Sequence, residues 1–221
     1  MNKRGEKLDA INLNNLIDLT LLDPRATVVD IEKLCDIAYK NQYYAICINP
    51  CNVLFAKGYI LKNLDGALKI VSVVGFPLGA SSMSTKVHEV KQVLAEGADE
   101  IDVVINIGRA KSMDYEYIKD ELKIIKKIAK KHIVKAIIET CYFDENEIIK
   151  LCKICISAGV DYIKTSTGFG TSGANEDVIN ILLNETKGKC LIKASGGITT
   201  RSQAIHYVNM GVRRIGTSTI L

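Results

Sequence analysis

Short runs of apolar and β-branched residues recur along the chain, and amphipathic segments separate them. Eight of these runs have the length and composition of β-strands. The candidate strands are 16–22, 45–49, 70–76, 101–107, 133–139, 162–165, 191–194 and 214–216. Their starts are spaced as strand-plus-helix units are, so consecutive strands are expected to run parallel.

Segments with helical spacing of apolar residues lie between the candidate strands, with favourable starts at Thr27, Ser84, Asp114 and Thr199. The segments are 27–40, 51–64, 84–96, 114–131, 144–158, 174–187 and 199–210. Eight strands alternating with helices predict an α/β fold in which residues 1–221 form a single-domain (β/α)8 TIM barrel. An open, doubly wound sheet is the alternative. Because Leu221 directly follows the eighth strand, the final helix is expected to be missing.

Charge and hydropathy narrow the functional classes. The formal net charge of +4 on 221 residues is too small to indicate a nucleic-acid-binding protein. The lysines of 119–135 flank a helical stripe of apolar residues, which indicates a solvated helix face. No apolar run is long enough to span a membrane, and the charged first ten residues do not resemble a secretory signal. We therefore expect a cytoplasmic protein with neither a nucleic-acid nor a membrane partner.

The cysteines and histidines do not form a metal-binding pattern. Seven cysteines, an odd number lying mostly in apolar runs, predict reduced and buried thiols. Cys152 and Cys155 fall within a predicted helix, and no second Cys/His pair follows at zinc-ligand spacing. Cys47 and Cys51 are interpreted in the same way. We predict no metal site.

Charged residues interrupt most of the candidate strands. They are Asp18, Asp102, Lys135, Glu139, Lys164 and Lys193. Because alternate residues of a barrel strand point inward, three lysines and several carboxylates are expected to converge inside the barrel. Burial and a neighbouring ammonium lower the pKa of a lysine and leave free amine to attack a carbonyl. Lys164 and Lys193 are both candidates, with Asp102 as a general acid/base; ion pairs that only stabilise the barrel are the alternative.

Three consecutive strands run into segments rich in glycine and hydroxyl residues. The segments are 165–173, 195–197 and 216–219. Glycine allows backbone N–H groups to approach an anion closely. TIM barrels commonly bind phosphate at the loops after their last two strands, where Gly196, Gly197, Ser218 and Thr219 lie. These segments predict a phosphate site beside a reactive lysine.

Eight ordered motifs resemble those of the deoxyribose-phosphate aldolase family. They are IDLTLLDP (17–24), AICINP (45–50), VGFPLG (74–79), EGADEIDVVINIG (96–108), KAIIET (135–140), DYIKTSTGFG (161–170), KASGGI (193–198) and RIGTST (214–219). The resemblance implies a class I aldolase without metal or organic cofactor. Such an enzyme reversibly cleaves 2-deoxy-D-ribose 5-phosphate to acetaldehyde and D-glyceraldehyde 3-phosphate in deoxyribose phosphate catabolism. It also suggests a homodimer or other small homo-oligomer.

The resemblance implies roles for individual residues. Lys164 matches the Schiff-base nucleophile, and Lys193 is similar to the second lysine, which lowers the pKa of the nucleophile and supports proton transfer. Asp102 resembles the acid/base residue that acts through a water. Positions near the sugar hydroxyls match Thr20 and Thr167. The phosphate-binding positions match Gly168, Gly196, Gly197, Ser218 and Thr219.

Two other functions remain open at this point. One is a phosphate-binding barrel, such as an isomerase, in which Asp102 and a lysine act as acid and base without a covalent adduct. The other is a catalytically silent binding or scaffold protein that binds a phosphorylated ligand. Trapping of a carbonyl adduct discriminates the aldolase from both.

Overall fold

The structure is a computed structural model that describes residues 12–221. Eight strands, numbered in chain order, are β1 Ile17–Leu21, β2 Ala45–Ile48, β3 Lys69–Val74, β4 Glu100–Val104, β5 Ile133–Ile137, β6 Tyr162–Lys164, β7 Leu191–Ser195 and β8 Arg214–Thr217. Each strand pairs in parallel with the next, and β8 closes the barrel by pairing with β1. This confirms the predicted TIM barrel and excludes the open sheet.

Helices occupy the connections between the strands. They are α1 Val28–Lys40, α2 Val53–Asn63, α3 Met83–Ala95, α4 Ile107–Lys111, α5 Tyr115–Ala129, α6 Glu145–Ala158, α7 Glu176–Thr186 and α8 Arg201–Met210. Short 3-10 helices are Leu13–Leu16, Pro50–Asn52 and Thr140–Tyr142. In the described part of the chain no helix follows β8, as expected. The assignment of residues 1–221 to a single domain stays a prediction.

Helix caps explain where the predicted boundaries hold and where they shift. Thr27 and Asp114 cap α1 and α5 as predicted. Helix α3 begins earlier than predicted because the Ser82 hydroxyl accepts a hydrogen bond from the Thr85 N–H at 3.2 Å, so Ser82 and not Ser84 is its cap. Similarly, Thr200 and not Thr199 caps α8.

The predicted 101–107 strand ends at Val104. Asn106 caps the short helix α4, its side chain accepting a hydrogen bond from the Arg109 N–H at 3.0 Å. Helix α4 is not predicted by the sequence pattern, because its five residues show too little periodicity to be distinguished from a continued strand.

The hydrophobic core lies between the outer face of the sheet and the helices. In α5 the predicted stripe is buried, and of the lysines beside it Lys123, Lys127, Lys130 and Lys131 are exposed and Lys126 is half-buried. The stripe consists of Ile118, Leu122, Ile125 and Ala129. Burial of each of the three larger side chains, the two isoleucines and the leucine, contributes about 1.5–3 kcal/mol to the stability of the fold. This arrangement leaves the inner face of the barrel free to hold polar groups.

The thiols are free in the described structure, and five of the seven are buried. Burial raises the pKa of Cys152 and Cys190 to about 12, so both thiols stay protonated and unreactive at neutral pH. Cys141 is half-buried, and Cys51 is exposed, so the expectation of a buried thiol at position 51 is wrong. Cys51 lies in the 3-10 turn before α2, where the chain faces solvent.

The sequence predicts neither a membrane-spanning segment nor a secretory signal. Within residues 12–221, every helix is too short or too polar to span a bilayer. The predicted absence of a secretory signal rests on the first ten residues, which lie outside the described part of the chain.

Candidate active site

The strand register brings the predicted lysines to neighbouring positions on the inner face of the barrel. Lys164 on β6 is paired with Lys193 on β7, and Lys193 is paired in turn with Arg214 on β8. On the other side, Asp102 on β4 is paired with Lys135 on β5. Because paired residues of parallel strands point to the same face, these five side chains meet inside the barrel.

Asp102 occupies the centre of this group and is completely buried. Its Oδ1 accepts from Lys135 Nζ at 2.8 Å, and its Oδ2 accepts from both Lys164 Nζ at 2.9 Å and Lys193 Nζ at 2.7 Å. Burial alone would raise the pKa of Asp102, but the three lysines outweigh it and hold the pKa well below its usual range. The carboxylate is therefore charged at neutral pH.

Asp18, Glu100 and Arg214 complete what we call the interior charge cluster. Arg214 Nη1 contacts Asp18 Oδ1 at 2.9 Å and Glu100 Oε2 at 3.2 Å, and its guanidinium lies 3.5 Å from the ring centre of Tyr44. Asp18 also accepts from Lys193. Strand β5 contributes a further contact, from Lys135 Nζ to Glu100 Oε2 at 2.6 Å.

Glu100 and Arg214 are not among the site residues predicted from the sequence. For Glu100 the strand alternation does indicate an inward position, since Glu100 precedes Asp102 by two residues and so shares its face of β4. Both residues begin their strands, however, where a charge ordinarily faces solvent.

The expectation for Glu139 is wrong in one respect. Glu139 lies beyond the end of β5 and makes no ion pair with the lysines, judging from residues 12–221. Its carboxylate accepts hydrogen bonds from Thr167 instead.

The interior charge cluster contains four cations and three carboxylates. Lys135, Lys193 and Arg214 each contact two of the carboxylates, whereas Lys164 contacts Asp102 alone. Loss of the Lys164 charge thus breaks the fewest ion pairs and removes the formal excess of positive charge. This asymmetry distinguishes two lysines that the residue pattern alone left equivalent.

Lys193 is one of the two lysines for which the sequence left a lowered pKa open, and its surroundings act in the opposite direction. Burial lowers the pKa of Lys193, but the carboxylates of Asp102 and Asp18 outweigh it and raise the pKa above its usual value. Lys135 behaves in the same way, with burial opposed mainly by Asp102. Both ammonium groups therefore stay charged at neutral pH.

Stability is expected to fall at acid pH because of these carboxylates. Despite the opposing effect of burial, Lys193 and Arg214 lower the pKa of Asp18, and Lys135, Lys164 and Lys193 lower that of Asp102. A lowered pKa in the native state stabilises the fold at pH values above the pKa of the unfolded state, which is near 3.8. This stability is lost as the pH falls toward the pKa of the native state. Urea unfolding at pH 6 and pH 3 measures the effect; equal free energies of unfolding would contradict it.

A cleft of about 470 Å³ opens above the interior charge cluster at the carboxyl ends of the strands. Lys164 is the lysine that reaches its wall; Asp102 and Lys193 lie beneath it and are fully buried. The predicted binding residues on the wall are Thr20, Thr167, Gly168, Gly196, Gly197 and Ser218. Thr219 is not part of the wall, and its N–H donates to the Thr217 hydroxyl at 3.0 Å.

Glycine is required where two loops of the cleft touch. A Cβ on Gly173 would lie 2.1 Å from the carbonyl oxygen of Gly196, closer than any side chain can approach. Gly196 itself has φ +84°, a left-handed conformation that favours glycine. The loops after β6 and β7 consequently place Gly168, Gly196 and Gly197 on the wall of the cleft, where Lys164 is the cationic side chain.

Metal-ligating side chains do not cluster in residues 12–221: no group of three or more histidines, cysteines, aspartates or glutamates is arranged to hold an ion. The arrangement does supply a lysine on the wall of a cleft, with a charged carboxylate and a second ammonium beneath it. These groups can form and protonate a covalent imine.

Residues 10–216 match the family model described as DeoC/LacD family aldolase. A protein of Thermococcus kodakarensis named deoxyribose-phosphate aldolase is 46% identical over 221 residues, covering 99% of this chain and 95% of that protein. One of the same name from Mycoplasma capricolum subsp. capricolum is 45% identical, covering 94% of this chain and 92% of that protein.

Solved structures agree with this match. The structure titled "QR15, an Aldolase" is 37% identical with a TM-score of 0.90, covering 95% of this chain and 93% of that one. A deoxyribose phosphate aldolase from Aeropyrum pernix, described as tetrameric, is 34% identical with a TM-score of 0.86, covering 94% and 87%. Family match, sequence identity and barrel geometry coincide, and the chain belongs to the DeoC/LacD family of aldolases.

Proposed function

We propose that this protein is a class I aldolase that reversibly cleaves 2-deoxy-D-ribose 5-phosphate to D-glyceraldehyde 3-phosphate and acetaldehyde. The observation that carries the proposal is Lys164, which reaches the cleft with a single carboxylate contact. The names of its relatives support the substrate. The proposed place of the reaction is in the catabolism of deoxyribose phosphates.

The reaction begins with attack of the Lys164 amine on the aldehyde carbon of the open-chain sugar phosphate. Loss of water leaves a protonated imine, which draws electrons from the adjacent carbons. Deprotonation of the C3 hydroxyl then breaks the C2–C3 bond and releases glyceraldehyde 3-phosphate, leaving an enamine on Lys164. Protonation of the enamine and hydrolysis of the imine return acetaldehyde and the free lysine.

Proton transfer falls to Asp102 and Lys193. Oδ2 of Asp102 is shared by the two lysines, so a proton that leaves Lys164 has an acceptor at hydrogen-bond distance. Because its pKa lies well below the usual range, Asp102 passes protons on rather than keeping one. Lys193, with its raised pKa, is the charged acid of the pair.

The phosphate group is assigned to the glycine-rich end of the cleft. Gly168, Gly196 and Gly197 line it with Ser218, and Thr219 is the adjoining position. Thr20 and Thr167, on the same wall, are assigned to the sugar hydroxyls. A phosphate held away from the breaking bond orients the substrate, which can lower the barrier by several kcal/mol.

Borohydride trapping tests the proposed function. The protein is incubated with acetaldehyde, reduced, digested and mapped by peptide mass spectrometry. A two-carbon adduct on the peptide containing Lys164, and not on those of Lys135 or Lys193, is expected. An adduct confined to Lys193 would reverse the roles of the two lysines, and no adduct on folded protein would overturn the covalent mechanism.

We further propose a cytoplasmic homodimer formed through the outer face of α2. On this face Leu54 and Leu61 are 65% and 62% exposed, and Gly58 between them has open space where a Cβ would stand. A mid-helix glycine costs about 1 kcal/mol, and a close approach by a second copy explains it. The tetrameric relative from Aeropyrum pernix supports self-association.

Light scattering of Leu61→Glu tests this interface. The exposed charge is expected to shift the protein toward the monomer mass, because it would be buried without a partner between two copies. Met113→Glu, at a 74% exposed position in the turn before α5, is the matched control and should keep the wild-type mass. A monomeric wild-type protein would contradict the proposal.

A further inference from the structure

Glu139 is a buried carboxylate that the proposed mechanism does not use. It is 2% exposed and follows β5 in a left-handed conformation with φ 48°, which is uncommon for a residue other than glycine. No lysine or arginine of the described chain lies within ion-pair distance of it. Such a strained position persists only when its surroundings hold it in place.

Thr167 supplies the main hydrogen bonds to this carboxylate. Its backbone N–H lies 3.2 Å from Glu139 Oε1 and 3.3 Å from Oε2, and its hydroxyl donates to Oε2. The Cys141 thiol is a weaker donor, with Sγ 3.9 Å from Oε1. Glu139 thereby fixes both the backbone and the side chain of a residue on the cleft wall.

These contacts determine which hydrogen bonds the Thr167 hydroxyl donates and which it accepts. A carboxylate only accepts hydrogen bonds, so the hydroxyl hydrogen points to Glu139. One lone pair of the oxygen accepts the N–H of Phe169 at 3.0 Å. A hydroxyl has one hydrogen and two lone pairs, so one lone pair is left. Toward a ligand, Thr167 can accept a hydrogen bond and cannot donate one.

Packing keeps the loop in this arrangement. A Cβ on Gly170 would lie 2.7 Å from Cys141 Sγ and 3.2 Å from Glu139 Cδ, so the loop after β6 is pressed directly against Glu139. The orientation of Thr167 is thus set by the segment after β5, in addition to its own loop after β6.

We propose that Glu139 is a positioning residue that makes Thr167 an obligate hydrogen-bond acceptor, so that the cleft selects substrates with a hydroxyl at that point. This inference rests on the proposed function, because the hydroxyl is one that the sugar phosphate carries and acetaldehyde lacks. A ligand group that can only accept a hydrogen bond, such as a ketone or ether oxygen, is disfavoured there.

Glu139→Gln tests the proposal with almost no change in shape. The amide oxygen satisfies the Thr167 N–H, and the amide NH₂ donates to the Thr167 hydroxyl, which turns its hydrogen toward the cleft. We expect kcat/KM for cleavage of 2-deoxyribose 5-phosphate to fall about tenfold or more. Trapping of acetaldehyde on Lys164 should change by less than about twofold, because that ligand has no hydroxyl.

Three further variants identify the role of Glu139. Thr167→Val should show the same split between cleavage and trapping, and Glu139→Gln/Thr167→Val should lose no more than either single variant, since both act on one hydrogen bond. Thr186→Val is the matched control. Thr186 is buried at the end of α7 and is not part of the cleft wall, and its hydroxyl has no partner in residues 12–221, so activity should be unchanged.

Equal losses of cleavage and trapping in Glu139→Gln, or independent losses in the double variant, would overturn the positioning role and leave Glu139 as a structural residue. Wild-type activity in Glu139→Gln would overturn it as well. Failure of the proposed function is separately visible, because the wild-type protein would then neither cleave the sugar phosphate nor trap acetaldehyde.

Discussion

Lys164→Met is expected to lower the rate of 2-deoxyribose 5-phosphate cleavage by about 10⁴-fold or more, the scale of loss seen when a covalent nucleophile is removed. Without the amine no imine forms, and the buried groups beneath the cleft have no electron sink to act on. Folding should be retained. The interior charge cluster has four cations for three carboxylates, and the methionine removes the cation that contacts only Asp102.

Steady-state cleavage with an acetaldehyde-coupled assay measures the loss, and urea unfolding checks the fold. Lys164→Arg separates charge from nucleophilicity, because arginine keeps the positive charge and cannot form the imine; it should be as inactive as the methionine variant. Lys119→Met, at a lysine paired on the surface with Glu116, is the control and should keep wild-type rates. Substantial cleavage by Lys164→Met would remove Lys164 as the nucleophile.

Asp102→Asn is expected to lower the free energy of unfolding by about 3–5 kcal/mol, the range for breaking a buried ion pair on one side. The acid/base role that the sequence suggests for Asp102, taken alone, predicts a variant that folds normally and loses activity. The structure changes the first part, because the neutral amide would leave four buried cations facing two carboxylates. Activity should still fall, since an amide cannot accept the proton.

A compensated variant keeps this prediction testable even if Asp102→Asn does not fold. Asp102→Asn/Lys135→Met removes one cation together with the carboxylate, so it should recover part of the lost stability and none of the activity. Glu116→Gln on the surface should change stability by less than about 0.5 kcal/mol. Urea unfolding gives the stabilities; a single variant as stable as wild type would contradict the structural role of Asp102.

The barrel could be predicted because each strand is a distinct apolar run, bounded by residues that favour turns and caps. Convergence of lysines and carboxylates followed from the alternation of inward and outward residues, and the structure confirms it for Asp102, Lys135, Lys164 and Lys193. The sequence cannot count contacts. It therefore left Lys164 and Lys193 equivalent as candidates for a lowered pKa, although the two carboxylate partners of Lys193 raise its pKa.

Contacts between loops could not be predicted from the periodicity of the sequence, for a different reason. Glu139 was expected to extend the pattern of Lys135 and Ile137, but its left-handed backbone ends the alternation of β5. Its partner Thr167 lies after β6, and the contact depends on how two irregular segments fold against each other. Propensities describe single segments, so a hydrogen bond between two loops leaves no trace in them.

Closure of the barrel completes the interior charge cluster only late in the synthesis of the chain. The contacts of Asp18 with Lys193 and Arg214 join the first strand to the last two, across almost the whole length of the chain. During synthesis on the ribosome, Asp18 emerges long before these partners exist. The incomplete chain consequently carries an acidic group without its partners. The reactive lysine gains its full electrostatic surroundings only when the final strand has left the exit tunnel and β8 has paired with β1.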